Sequence, residues 1–371
     1  MIRFLLFFVG FLWANPLDTL NRYRTLAGLN ILSFNTSLSC AAKIHTKYLQ
    51  NHPFSHYEEK LKTPSLRALY CGYDSKFVIE NLSKGEKDYQ DSIKDLFSAI
   101  YHRLGFLDFN INEVGFDSYN KIYVYEMGNS FIRKGCINGK NIFSGIIGVC
   151  GNNKIVSLDA FNLQMKNNPK VVVWPYDGMK NTPTVFYDEI PDPLPGYGVC
   201  GYPISISFNP YYFKNIKLIS FDLFLNNQKI KSKIVDFKSD VNHLLKKTQF
   251  VLFPLDRLEY GREYTVKAKF LINNEIYNFK WKFNTENENN LLKIDSLKAS
   301  FVLKENTTYF LYFKPLNNND KISKFNYRYN SNIRFNKIGY KDANTIYLNV
   351  SGKGKITIYA NNREVNLIVK E

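Results

Sequence analysis

The amino-acid sequence predicts an α+β fold: a layered domain of helices and strands, then an all-β sandwich, then a small β-rich C-terminal region. Three observations carry this. Apolar residues recur at helical spacing up to Leu104, and period-two alternation takes over from Glu113. A stretch rich in proline and glycine, residues 191–201, separates segments of different character. Beyond it, short alternating runs divided by Asn-, Lys- or Gly-bearing turns follow one another as in a β-sandwich. With 371 residues, 45% hydrophobic and 16% aromatic, the chain can hold two or three cored domains, and disorder is not the default reading.

Met1-Ile2-Arg3 gives a positive start, residues 4–13 form an uninterrupted small-and-apolar run, and Ala14 offers a small residue for cleavage. That run is too short to span a bilayer but fits the core of a signal peptide, here residues 1–14. No later stretch reaches the ~20 apolar residues that a membrane helix needs. The expectation is a soluble protein, secreted or periplasmic, with no transmembrane helix after signal removal.

Residues 16–32 read as a helix with Asp18 as N-cap, because Leu17, Leu20, Tyr23 and Leu26 fall on one stripe. Asn35-Thr36 caps a second helix, which stops near Asn51 because Pro53 disfavours helical geometry before it. Thr63-Pro64 opens a short third helix that Gly72 ends. Residues 91–104 form an amphipathic helix with Ile93, Leu96, Phe97, Ile100 and Leu104 on its apolar side. Residues 113–116, 122–127 and 171–174 read as strands. After the linker come strands at 204–208, 218–224, 250–253, 264–270 and 277–283, then at 300–303, 309–313, 345–350 and 356–360.

The net charge of +16 is uneven. Residues 191–371 hold 28 Lys and Arg against 16 Asp and Glu, whereas residues 15–190 hold 20 against 17. The basic half reads first as a solvated Lys-rich surface, with contact to an anionic partner such as an envelope surface or phosphate-rich polymer as the functional alternative. Basic residues are scattered and no nucleic-acid motif accompanies them, so nucleic acid is not an expected partner. In an exported chain the five cysteines point to disulfides. Spacing suggests Cys136–Cys150 across a hairpin-like loop and Cys40–Cys71 between two helices. Cys200 is then free, or replaces one of those partners.

Four of the five histidines lie in the N-terminal part. Glu58 shares a face with His56 in an extended stretch. Glu80-Asn81 follows an apolar run, and His102-Arg103 sits in the last turn of the 91–104 helix. His56, Glu80 and His102 are the candidate catalytic residues, and His56 and His102 the candidate metal ligands for a divalent cation, Zn or Mg. Glu58, Arg67 and Arg103 are the candidate cofactor- or ligand-binding side chains, the guanidiniums reading first as braces for carboxylates. His45, on a largely apolar helix face, reads as a satisfied core histidine. No Gly-x-Ser-x-Gly or His-Glu-x-x-His occurs, which removes serine-hydrolase and zincin readings.

The segments Leu20-Asn21-x-Tyr23-Arg24-x-x-x-Gly28-Leu29, Ala41-x-x-x-His45-x-x-Tyr48-Leu49, His56-x-Glu58, Pro64-x-x-Arg67-Ala68-x-x-x-Gly72-Tyr73, Glu80-Asn81, Tyr101-His102-Arg103 and Val114-Gly115-Phe116 occur in one series. In that order they resemble the bacterial CAP domains of the cysteine-rich secretory and pathogenesis-related superfamily (SCP-like domains). The resemblance implies an α–β–α sandwich with a cleft of two histidines and two acids, in which a divalent cation is sometimes held. His56, Glu80 and His102 match family positions. Many bacterial members carry a Glu where this chain has Ile100, so Glu58 stands in as the second acid. Leu258-x-x-Gly261-x-x-Tyr264-Thr265-Val266 and Trp281-x-Phe283-x-Thr285 resemble bacterial Ig-like modules. The expected organisation is a CAP domain over 16–185, an Ig-like sandwich over 191–286 and a small β-rich domain over 291–371. The expected function is an exported envelope protein whose His/Glu cleft binds a divalent cation or a small or lipidic ligand. The alternatives are a metal-assisted hydrolase acting on peptide or envelope polymer, through Ser55 or a metal-bound water, and an adhesive or scaffold protein.

Overall fold

The computed structural model describes residues 15–138, 145–151 and 153–371. The expected signal peptide, residues 1–14, lies outside them. The chain divides into two units: one ends at Val172 and includes Asn209–Tyr212, the other holds Val173–Phe208 and Phe213–Glu371. Among the described residues no helix is long and apolar enough to cross a membrane.

The first unit begins with helix α1 (Pro16–Leu26). Its N-cap is Asn15, not Asp18: the Asn15 side chain accepts from the Leu17 amide at 3.0 Å. It ends well before the expected Leu32 because Gly28 turns the chain at φ +79°. Strand β1 (Ser33–Phe34) and helix α2 (Thr36–Tyr48) follow, the latter capped by Asn35 as its sequence predicts. Thr63 caps α3 (Pro64–Tyr70), with proline in the first turn. Strand β2 (Val78–Lys84) leads to α4 (Tyr89–Ser98) and α5 (Ile100–Phe106). The single helix expected over 91–104 is thus two, broken where Ala99 adopts extended geometry. Buried Arg103 holds the break, donating to the Phe97 carbonyl at 2.7 Å and the Ser98 carbonyl at 3.3 Å. Strands β3 (Glu113–Tyr119) and β4 (Ile122–Gly128) form a hairpin, and helices α6 (Ser130–Asn138) and α7 (Leu158–Lys166) complete the unit.

The sheet runs β1-β3-β4-β2, with β2 and β3 antiparallel to β4. Alternation along β2 assigns its faces. Leu82 packs with Ala42 and Leu49 on the α2 side. Ser83 instead bonds Ser92 of α4 at 2.6 Å, and Gly105 of α5 lies against Ile79 and Asn81. Even-numbered residues of β2 therefore face α2 and α3, and odd-numbered ones face α4 and α5. This is a three-layer α–β–α sandwich. The close approach of α2 depends on Gly115 of β3: a Cβ there would lie 2.0 Å from the Ser39 amide nitrogen. Fully buried Arg24 donates to the carbonyls of Phe106 at 2.7 Å and Asn30 at 2.8 Å, tying the loops after α5 and α1 together.

Both expected disulfides are present, Cys40–Cys71 between α2 and the end of α3, and Cys136–Cys150 from α6 to the segment that follows it. Cys200 is free and buried. The Cys40–Cys71 link closes a loop of 31 residues. Loop-closure entropy then predicts that Cys40→Ser with Cys71→Ser costs about 2–4 kcal/mol. Urea denaturation of the double variant checks this; an unchanged midpoint would show that the link does not limit the unfolded chain.

The second unit is all β. Its first sandwich pairs two sheets: β10 (Ser232–Asp236), β11 (Gln249–Pro254), β7 (Ile204–Phe208) and β5 (Val171–Trp174) face β6 (Met179–Thr182), β13 (Glu275–Thr285), β12 (Glu263–Ile272), β8 (Ile216–Leu225) and β9 (Gln228–Lys229). Phe208 and Phe250 meet Phe270 across the interior at 4.8 and 5.0 Å. The second sandwich sets β14 (Leu291–Ile294), β16 (Thr308–Phe313), β19 (Thr345–Ser351) and β18 (Arg334–Asp342) against β15 (Lys298–Lys304), β21 (Arg363–Lys370), β20 (Gly354–Ala360) and β17 (Phe325–Tyr329). Leu311, Phe313 and Leu348 of one sheet share a core with Ile358, Val365 and Leu367 of the other. The proline- and glycine-rich stretch 191–201, expected as the linker, is packed inside this unit. Leu194, Val199 and Cys200 are buried, and Phe186 bridges Cys200. Residues 173–190 also belong here, because β6 runs parallel to β13.

Candidate functional site

Four elements of the first unit bring titratable side chains together. Strand β2 presents Glu80 on its α2–α3 face. Strand β4 places Glu126 directly opposite it in register, on the same face of the sheet. Helix α2 supplies His45 from its last turn, and α3 supplies Arg67. The loop between these helices carries His56 and Glu58.

Arg67 is the hub. Its guanidinium is ion-paired with Glu80, lies 3.5 Å from Glu126 and 3.7 Å from Glu58, and donates to the backbone carbonyls of His56 at 3.2 Å and Leu61 at 3.4 Å. It thus pins the loop to the sheet. His45 is buried: Nδ1 meets Glu58 Oε1 at 2.7 Å and Nε2 meets the Ser55 carbonyl at 2.9 Å. A carbonyl only accepts, so Nε2 carries the hydrogen and Nδ1 faces the carboxyl. Burial, then Arg67, lowers His45 to about 3, and burial raises Glu58 against the pull of Arg67. Both shifts favour the uncharged forms of this pair.

Glu80 and Glu126 stand opposite each other in register, both beside the Arg67 guanidinium. Burial is the main cause raising both. Glu126, fully buried and beside Glu80, is raised well above the ordinary carboxylate value, and Glu80, which Arg67 pulls down, reaches about 7. Burial favours the protonated form of Glu126 most strongly, while Arg67 pulls on both acids and pairs more closely with Glu80.

His56 is the exposed member. Its side chain is 44% accessible, against 1% for Glu80, whose Oε1 lies 2.8 Å from His56 Nδ1. Burial lowers the imidazole below its ordinary value, against Glu126 and with Arg67. The result is a neutral ring oriented by a buttressed carboxyl, with Nε2 making no hydrogen bond among the described residues.

The predicted residues divide accordingly. His56, Glu58, Glu80 and Arg67 converge. His102 does not join them. It lies on α5, and its carbonyl accepts from Asn81 Nδ2 at 2.8 Å, on the opposite face of β2 from Glu80. The alternation of the strand puts the two on different layers. Arg103 sits at the α4–α5 break described above. The second imidazole is His45, and the further acid is Glu126. The signal for Glu126 was present in the sequence as a lone carboxylate inside the apolar run 122–127. Ser55 contributes its carbonyl, while its Oγ accepts from the Tyr57 amide at 3.1 Å.

These side chains do not fit a divalent cation. The guanidinium already stands among the three carboxyls, and both ring nitrogens of His45 are engaged. That leaves one outward imidazole nitrogen, too few for a protein-held metal. Among the described residues no three His, Cys, Asp or Glu side chains are grouped to hold a metal ion.

Residues 17–123 match the cysteine-rich secretory protein family, CAP. This N-terminal segment is a CAP domain. Solved structures similar to the chain include an extracellular protein containing an SCP domain from Bacillus anthracis, 22% identical over 30% of this chain and 38% of that one, with a TM-score of 0.30. An outer surface protein of Borrelia burgdorferi is 18% identical over 30% of this chain and 86% of that one, with a TM-score of 0.28. Fibronectin(III)-like modules of Clostridium thermocellum are 11% identical over 54% of this chain and 94% of theirs, with a TM-score of 0.18. This chain therefore spans well under half of the Bacillus protein. No curated protein matches the sequence.

Proposed function

We propose that this is an exported envelope protein whose CAP domain binds a small ligand at His56 without a metal. One observation carries the reading: a buried, self-neutralised cluster exposes a single imidazole, held at Nδ1 by Glu80 at 2.8 Å. Such a ring offers Nε2 as an acceptor to a hydrogen-bond donor on the ligand. Two disulfides support an oxidising compartment. Titration of soluble peptidoglycan fragments and of lipid micelles, followed by the His56 ring resonances, tests it. Binding should weaken about tenfold in His56→Ala, the loss of one hydrogen bond, and stay unchanged in His102→Ala. Binding indifferent to His56 would overturn the reading. Calorimetry with zinc checks the metal: uptake abolished by His56→Ala with His102→Ala would restore the cation-binding cleft.

The carboxyl-oriented imidazole also favours a second reading, a hydrolase in which His56 takes a proton from water. Turnover of a casein, ester or peptidoglycan panel that disappears with Glu80→Gln would establish it. No turnover would leave binding as the better account.

A further inference from the structure

We propose that the lateral edge of the C-terminal sandwich, between β17 and β18, binds acidic polysaccharide. These strands end their respective sheets. Along β17, Phe325, Tyr327 and Tyr329 project to one side, with successive ring centroids 6.3 and 6.0 Å apart. Phe335 and Tyr340 of β18 meet this row: Tyr327 and Tyr329 lie 4.7 and 5.2 Å from Phe335, and Phe325 lies 5.0 Å from Tyr340. The row closes the core at Phe325 and opens outward. Tyr327, Tyr329 and Tyr340 are 41%, 52% and 43% exposed. A contiguous run of half-exposed rings on one edge marks a contact surface.

Charge narrows the partner. Between residues 321 and 363 stand nine Lys and Arg and one acid, Asp342. Asp342 is already paired with Arg257. Among the described residues the exposed Lys324, Arg334, Lys337 and Lys355 have no carboxylate partner, and Arg328 lies over the Tyr359 ring at 5.8 Å. On the other face of β17 a groove of about 510 Å³ is lined by Lys298, Lys324, Arg363, Asn326 and Tyr359, with Glu364 as its one carboxylate. Rings, phenol hydroxyls, amides and unpaired cations together suit a hydroxylated, negatively charged chain. The C–H faces of its sugars lie on the rings, and its carboxylates meet the cations. Ring packs on ring at 46–85° across the strands, so the exposed rings form a stepped row, and poly(dT), which would also stack on such faces, is the competing ligand in the test.

The test uses the full chain with polygalacturonate, neutral dextran and single-stranded poly(dT) as probes. Polygalacturonate should bind at least about tenfold more tightly than dextran, and Tyr327→Ala with Tyr329→Ala should weaken it at least about tenfold. Arg328→Gln with Arg334→Gln should weaken polygalacturonate and leave dextran unchanged. If the alanine variant fails to fold, Tyr327→Leu with Tyr329→Leu keeps apolar contact with Phe335 and still removes the rings. Absence of polygalacturonate binding, binding insensitive to the ring variants, or tighter binding of poly(dT) would each overturn the proposal.

Discussion

Arg67→Met should destabilise the first unit by about 3–5 kcal/mol, and the loss should be larger at pH 8 than at pH 5. Three carboxyls, Glu58, Glu80 and Glu126, are buried around this guanidinium. Removing it leaves no fixed positive charge among them and frees the carbonyls of His56 and Leu61. The sign of the pH dependence follows from the carboxyls. Their folded values already stand above the unfolded value of 4.5, and loss of Arg67 raises them further. A raised acid favours the fold while it is protonated, so its contribution is complete below about pH 4.5 and disappears as pH rises through the folded value. At pH 5 the variant can keep its acids neutral and hydrogen-bonded. At pH 8 it must ionise them in a buried site or unfold. Urea denaturation at the two pH values decides the matter. An equal loss at both would mean that Arg67 acts through the packing of its stem alone. Arg67→Lys should recover part of the stability, because the charge returns but the fork that spans Glu80, Glu126 and the loop does not. In the otherwise unchanged protein, Glu80→Gln should flatten the decline in stability between pH 4.5 and about 7 that Glu80 imposes.

The parts of this cluster that the sequence reveals are those set by local rules. Asn35 and Thr63 announce the starts of α2 and α3 because a cap bonds within its own turn. Glu80 stands out after the apolar run 77–79, and His56 through its spacing to Glu58. The failures have a common cause in tertiary structure. The break at Ala99 rests on Arg103 taking the carbonyls of Phe97 and Ser98, which no helical periodicity records. His102 satisfies a sequence pattern, yet the layer on which it sits depends on which face of β2 meets α5. Glu126 becomes a partner of Glu80 only through the register of β2 with β4. Residues 191–201 have linker composition, but prolines and glycines also serve a packed, irregular segment when its apolar residues, Leu194 and Val199, find a core.

Breaking the Arg257–Asp342 pair should be as costly, about 3–5 kcal/mol, and should divide the melting of the second unit into two transitions. The Arg257 guanidinium is 1% exposed. It makes a fork to Asp342 at 2.9 and 2.8 Å and also donates to the hydroxyls of Tyr187 at 3.1 Å, of Thr184 at 3.1 Å and of Tyr260. Tyr260 and Tyr312 lie under it, with centroids at 5.0 and 4.8 Å. Arg257 precedes β12 of the first sandwich and Asp342 ends β18 of the second, so one buried pair couples their unfolding. Asp342→Asn leaves the guanidinium buried without its counter-ion, the costlier way to break a pair. Differential scanning calorimetry should show a separate, earlier transition for the C-terminal sandwich. One transition with an unchanged midpoint would show that other contacts hold the joint. The pH dependence here has the opposite sign to that of the Glu80 cluster. Arg257 and the surrounding donors overcome desolvation and hold Asp342 at about 2, below its ordinary 3.8. A depressed acid contributes stability above its unfolded value and loses it as pH falls through the folded one. The joint therefore keeps its full strength from about pH 4 upward, while in the CAP cluster the raised carboxyls favour the acid side and the lowered imidazoles of His45 and His56 oppose them below 6.5. Mild acidification to about pH 5 should leave the joint of the second unit unchanged.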